Sequence, residues 1–185
     1  MQKAALILEG GAKRGVFTSG VLDYLMEQEY YIPHVIGVSA GSCNAVDYVS
    51  RQPGRTKACM IRSGEDGKII NFHNFFQTKS LLDMDLIFER DPKELHPFDF
   101  DTYFASDMTC EIVVTNCESG QAEYYSEKED GDRLMQLCRA SSSMPLVTPM
   151  VEIDGVPYLD GGIADSIPLI HSMRSGYRKN VLILT

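Results

Sequence analysis

Over its first fifty residues the chain alternates short unbroken apolar runs with stretches of helical spacing. Ala4 to Leu8 is apolar without polar alternates, the pattern of a strand buried on both faces. From Arg14 to about Gln28, Phe17, Val21, Tyr24 and Leu25 recur at helical spacing, the stripe that an amphipathic helix turns to a core. Pro33 to Val38 predicts a second strand, and Ala40 to about Ser50 the helix behind it. Strand, helix, strand, helix in this order implies a parallel sheet with right-handed crossovers. The expected class is α/β, a three-layer sandwich around a mainly parallel central sheet.

The middle of the chain is less regular. Gln52 to Gly67 is polar, with Pro53-Gly54 and Asp66-Gly67 as turn signals, and reads as loop. Ser80 to Glu89 predicts a helix capped by Ser80, with Leu81, Leu82, Met84, Asp85 and Phe88 as an amphipathic run. Cys110 to Asn116 and Ala122 to Ser126 flank Glu118-Ser119-Gly120 and predict a hairpin. Asp132 to Ala140 predicts a helix. Asp154-Gly155 then turns a second hairpin between Met150 to Ile153 and Val156 to Leu159. Ile167 to Met173 reads as a helix, and Lys179 to Leu184 as a final strand. There is no internal repeat or low-complexity tract, so residues 1–185 are expected to form a single domain.

Composition narrows the function classes. The chain has 185 residues and a formal charge of -9, which argues against nucleic acid as a partner. No apolar run approaches the roughly 20 residues of a membrane-spanning helix, and no signal-peptide pattern opens the chain. Five cysteines (Cys43, Cys59, Cys110, Cys117, Cys138) are an odd number without close pairing. That favours reduced thiols and a cytoplasmic setting over a disulfide framework or a zinc site.

Two glycine-rich turns carry the chemistry. Gly37-Val38-Ser39-Ala40-Gly41 lies between a strand and a helix, the context of a nucleophile elbow that lifts a serine hydroxyl above a sheet. The bland alternative is a tight turn with a helix-capping serine. Glu9-Gly10-Gly11-Ala12-Lys13-Arg14-Gly15 offers free backbone N–H groups at a helix start, where developing negative charge could be held. It fails as a dinucleotide fingerprint, since Ala12 fills the third position and the next strand ends in Val38-Ser39 without an acid. It fails as a phosphate-binding Walker loop, since Gly15 is followed by Val16-Phe17. Tyr158-Leu159-Asp160-Gly161-Gly162 then places an acid beside two glycines, where neighbouring backbone can approach closely.

In these motifs the chain resembles the bacterial branch of the patatin-like phospholipases. The resemblance rests on Gly10 to Gly15, the elbow from Gly37 to Gly41, and Asp160-Gly161-Gly162, in that order. Pro97-Phe98-Asp99, Thr115-Asn116-Cys117 and Ala140-Ser141 agree with it. It implies a Ser–Asp dyad, Ser39 as nucleophile and Asp160 as base, passing through an acyl-enzyme. N–H groups of Gly10, Gly11 and Ala12 would form the oxyanion hole, with Arg14, Gly15, Gly37, Gly41, Gly161 and Gly162 binding substrate or supporting the loops. The implied substrates are phospholipids, lysophospholipids or other lipid esters, cleaved without cofactor or metal, in transient contact with a membrane surface. Ala12 departs from the family's third glycine. Family members also continue beyond the strand ending at Thr185, so a C-terminally incomplete domain, with one side of the sheet less covered, is expected.

Other readings compete. Ser39, Asp160 and His171 follow the order of an α/β-hydrolase triad, which would make a soluble carboxylesterase or thioesterase. A lipid-binding pseudoenzyme is the non-catalytic alternative. His34, His73 and His96 have weaker claims, and no two histidines are spaced for a metal. Arg51, Arg55, Lys57 and Arg62 offer either lipid-surface contact or a solvated loop. Ile69, Ile70, Phe72, Phe75 and Phe76 offer either an acyl-chain wall or ordinary core. Cys43, one turn after Ser39, is expected to face inward as a small apolar group.

Overall fold

The computed structural model describes residues 3–61 and 80–185. The two unbroken apolar runs form β1 (Ala4–Leu8) and β2 (His34–Val38), paired in parallel with Ile7 opposite Ile36. Between them runs α1 (Gly15–Glu27), and after β2 comes α2 (Ala40–Val49). A short α3 (Arg55–Met60) and a wide-turned α4 (Leu86–Leu95) precede α5 (Phe100–Ala105). The hairpin β3 (Thr109–Asn116) and β4 (Ala122–Tyr125) leads to α6 (Gly131–Ser141). A second hairpin, β5 (Val151–Ile153) and β6 (Val156–Asp160), leads to α7 (Leu169–Arg174) and β7 (Lys179–Ile183). Its turn holds Asp154 at φ 53° and Gly155 at φ 80°, as the Asp-Gly pair predicts.

All these strands join one mixed sheet, ordered β5-β6-β3-β2-β1-β7, with β4 paired to β3 outside that path. The centre, β3-β2-β1-β7, is parallel, whereas β4, β5 and β6 pair antiparallel. Alternate residues of the central strands feed two apolar clusters on opposite faces. Leu6, Leu8, Val35, Ile112 and Val114 join the larger one with Leu22, Tyr48 and Leu134 from the helices. Ile7, Ile36, Val38 and Val113 form the smaller one, covered by Ile167 and Leu169. This is the α/β layering expected, and it explains why β1 carries no polar alternates and β2 only the buried His34 at its start.

Register places the ends that matter. On β3, Val113 lies opposite Val38 of β2, and the next residue, Val114, lies opposite Asp160 of β6. The residue after Val38 is Ser39. Two residues 121 positions apart in sequence therefore meet at one end of the sheet.

Three expectations need correction. The stripe read on α1 is only partly its buried face: Val21 and Leu25 pack against the core, but Phe17 is 64 % and Tyr24 60 % exposed, while Thr18, Ser19, Leu22 and Met26 are buried. The cause is close helix approach. Gly15 lies so near α2 that a Cβ there would stand 3.0 Å from that of Ala40, and Asn44 Nδ2 donates to Gly15 O (3.2 Å), so small residues take the interface. The segment read as loop from Gln52 contains α3, anchored where Arg55 meets the buried Asp47 (2.8 Å). Ser80 does not cap a helix, because its Oγ donates to Leu82 O (2.6 Å). Asp83 Oδ1 instead accepts from Leu86 N (2.9 Å), and the helix continues to Leu95. Pro92 has no N–H to donate, and the turns there widen, with His96 N bonded to Asp91 O five residues back (2.9 Å). The Asp66-Gly67 turn, Arg62, His73 and the apolar group from Ile69 to Phe76 lie outside the described residues.

The α1 correction predicts a contrast in stability. Leu22→Ala should cost about 2–5 kcal/mol, whereas Tyr24→Ser should stay within about 0.5 kcal/mol. Urea melts of the two variants would decide which face of α1 is core.

Candidate active site

Ser39 sits at the junction of β2 and α2 with φ 55° and ψ -125°, a conformation that costs a residue with a Cβ about 1–3 kcal/mol unless its surroundings hold it. They do. Its N–H donates to Ser141 Oγ (2.8 Å), which in turn donates to Val113 O (2.6 Å). Its carbonyl accepts from Ser42 N (2.8 Å) and Ser42 Oγ (2.6 Å). The flanking glycines are required by space. A Cβ on Gly41 would run into Leu8 O, and one on Gly37 would lie 2.6 Å from Ser42 Cα. The Ser39 hydroxyl thus stands half-buried at the N-terminus of α2, where the helix dipole favours negative charge.

Asp160 ends β6 and begins the short turn Gly161–Ile163. Its Oδ2 accepts from Ser39 Oγ at 2.6 Å and its Oδ1 from Gly162 N at 2.8 Å. Its backbone is fixed on both sides: its N–H donates to Ser143 O (2.8 Å) and its carbonyl accepts from Thr115 Oγ1 (2.8 Å). A Cβ on Gly161 would strike Val113 O, so only glycine lets the turn pass over β3. Asp160 is 7 % exposed. Burial raises its pKa above the ordinary carboxylate value, against the lowering effect of the hydrogen bonds from Ser39 and Gly162.

The glycine-rich turn lies beside Ser39. A Cβ built on Gly10 would be 2.9 Å from Ser39 Cβ and 3.6 Å from its Oγ. Among the described residues, none of the N–H groups of Gly10, Gly11 and Ala12 donates to a protein acceptor. Ala12, where a glycine is usual, adopts φ 49°, within the left-handed region open to a small side chain at modest cost. The turn is tied to the end of the chain, since Thr185 Oγ1 donates to Gly10 O and Thr185 N to Glu9 Oε2 (2.7 Å). Arg14 folds back over this turn, its Nε 3.3 Å from the Cβ position of Gly11.

A cavity of about 320 Å³ opens at Ser39. Ala12 and Lys13 line one side, and Val46, Met84, Phe88, Met135 and Met144 supply apolar wall. Cys43 lines it too, and burial pushes its thiol up to about 11, consistent with an inert apolar group. Arg55 turns inward from the surface: it lines the cavity and pairs with Asp47, which also accepts from Thr56 Oγ1 (2.5 Å). Cys59, Asp91 and His96 bring one donor atom each within 4.8 Å of one another. There His96 Nδ1 lies 2.8 Å from Asp91 Oδ1, Arg55 Nε donates to His96 O (3.0 Å), and burial raises the Cys59 thiol.

His171 is elsewhere. Its Nε2 lies 2.7 Å from Glu111 Oε2 and its ring stacks on Tyr124 at 3.5 Å, while both Asp160 oxygens are already engaged. His34 is buried beside the same Glu111 (3.6 Å) and stacked on Tyr177. The residues that hold Ser39 and Asp160 in place, Thr115, Ser141 and Ser143, and the cavity-lining Lys13 escaped chemical reading. Thr115 and Ser141 surfaced only within the quoted resemblance.

A family model described as patatin-like phospholipase matches residues 6–172. The chain belongs to the patatin-like phospholipase family. One relative of this patatin-like chain is the uncharacterized protein YjjU of Escherichia coli K12, 29 % identical over 188 residues and 99 % of this chain. The chain spans about half of that relative's length, 52 %. In fold it is similar to the crystal structure of VipD from Legionella pneumophila, with a TM-score of 0.54 and 17 % identity, over 98 % of this chain and 49 % of that one. No helix among the described residues is long and apolar enough to cross a membrane.

The raised pKa of Asp160 makes a stability prediction. Between the unfolded value of 3.8 and its higher folded value, the native state holds this proton more tightly than the unfolded chain, so stability falls as pH rises through that window. Asp160→Asn can keep the bond from Gly162 N and, with its amide N–H now donating to Ser39 Oγ, the contact to Ser39, without the buried charge. Its melting temperature at neutral pH should equal or exceed that of the parent, as differential scanning calorimetry would show. A clear drop would mean that the carboxylate is a net stabiliser.

Proposed function

We propose that the chain is a serine esterase of phospholipase A type, cleaving lipid carboxylic esters through a Ser39–Asp160 dyad. One observation carries the reading: a strained elbow serine whose hydroxyl donates at 2.6 Å to a buried carboxylate of raised pKa.

An ordinary aspartate is a weak base towards a serine hydroxyl. Burial strengthens Asp160 as a base, and direct contact removes the cost of encounter. Ser39 Oγ adds to the ester carbonyl carbon as its proton passes to Asp160 Oδ2. The carbonyl π electrons move to oxygen, and the N–H groups of Gly10, Gly11 and Ala12 are in place to meet that charge; each such donor is worth roughly 3–4 kcal/mol elsewhere. The tetrahedral adduct collapses by breaking the bond to the alcohol oxygen, which takes the proton from Asp160. Water then adds to acyl-Ser39 with Asp160 again as base, and fatty acid leaves as Ser39 recovers its proton. Gly15, Gly37, Gly41, Gly161 and Gly162 act through backbone spacing, and Arg14 supports the glycine turn.

Intact mass after treatment with a fluorophosphonate tests the dyad. One adduct should form on the parent and none on Ser39→Ala. Asp160→Asn should react about 10²–10⁴-fold more slowly, while His171→Ala should react at close to the parent rate. Labelling should rise with pH as Asp160 loses its proton. An unreactive Ser39 would favour a lipid-binding protein without turnover, and loss of labelling in His171→Ala would restore the triad.

A further inference from the structure

Two exposed segments adjoin the lining of the cavity at Ser39, each a rim of unusual composition. On one, the turn Ala12–Arg14 is exposed, Lys13 lines the cavity, and Phe17 at the start of α1 is 64 % exposed. On the other, Met144 lines the cavity and Leu146, two residues further, is 95 % exposed at φ 65°.

Leu146 is held in this state, not merely tolerated in a slack loop. Val147 N and Thr148 N both donate to Met144 O (3.2 and 3.0 Å), Val147 O accepts from Leu81 N (2.8 Å), and Ser143 O accepts from Asp160 N (2.8 Å). A leucine in water and in the left-handed region is unfavourable twice over. Such a residue on a tethered turn beside the nucleophile needs an apolar phase to enter. Charge says which phase. The chain carries -9 overall, yet this rim presents Lys13 and Arg14, neither of which makes an ion pair among the described residues. Apolar tips beside exposed cations fit a phosphate-bearing lipid surface, with carbon below the headgroups and negative charge at their level.

We propose that these two rims seat the cavity mouth on assembled phospholipid. Leu146 and Phe17 enter the acyl boundary while Lys13 and Arg14 meet headgroup phosphates, so that a lipid can rise to Ser39 without crossing water. The inference rests on the lipid-ester reading of the site but concerns adsorption, which can be measured without turnover.

The test uses Ser39→Ala protein with and without Leu146→Asn and Phe17→Ser, sedimented with vesicles of equimolar phosphatidylcholine and phosphatidylglycerol. Asparagine accepts the left-handed conformation, so the melting temperature should hold. Vesicle affinity should fall about tenfold or more, and added salt should weaken the parent. In the Ser39 background, the same two substitutions should slow hydrolysis of vesicle lipid while leaving a water-soluble short-chain ester unaffected. Unchanged vesicle affinity would overturn the proposal. Equal losses on the soluble ester would overturn it in favour of a direct role in the cavity, and a dimer that the variant disperses would assign the rims to a second copy. If no protein shows turnover but the affinity difference persists, the hydrolase reading fails while the docking surface stands.

Discussion

The register of β3 is the constraint on which the rest depends. Its neighbouring residues Val113 and Val114 hold β2 and β6 so that Ser39 and Asp160 emerge side by side. A slip of one position would send alternate side chains to the wrong face, and with two-sided burial that is prohibitively costly. The same strand supplies Val113 O to Ser141 Oγ, whose oxygen takes the Ser39 N–H. It also supplies Thr115, whose hydroxyl holds the carbonyl of Asp160. One buried strand thus positions both partners and the groups that restrain them.

This wiring explains how an unfavourable arrangement survives. Ser39 is held at a strained backbone angle and Asp160 is buried with no cation paired to it among the described residues, two costs concentrated within a few ångströms. The carboxylate is satisfied by the Ser39 hydroxyl and the Gly162 N–H, and the elbow by backbone and serine partners on three elements. Without a Cβ, Gly37, Gly41 and Gly161 let main chain approach main chain, and Gly10 lets the Ser39 side chain stand against its turn. Local strain is balanced by the surrounding layers, the arrangement expected where a group is kept ready to react.

The cavity at Ser39 has a wall of methionine and phenylalanine, and Asp47, Arg55 and Asp91 also line it, linked to one another and to His96 by hydrogen bonds. The basic residues once readable as a lipid-facing stretch divide in the structure. Arg55 turns inward to Asp47, and the exposed cations beside the nucleophile are Lys13 and Arg14.

The chain's own pattern determined the order of the strands and of α1, α2, α6 and α7, both hairpin turns, and the three motifs that carry Ser39, Asp160 and the glycine turn. Those are local properties: unbroken apolar runs mark doubly buried strands, Asp-Gly marks a left-handed turn, and glycine marks close backbone approach. Tertiary structure alone decided which face of α1 is buried, because helix proximity at Gly15 favoured small residues over Phe17 and Tyr24. It decided that Arg55 is a buried ion-pair partner and that His171 serves Glu111, since partners distant in sequence leave no periodic trace. It also decided that Asp160, and not a histidine, faces Ser39, because a separation of 121 residues is closed only by the register of one shared strand.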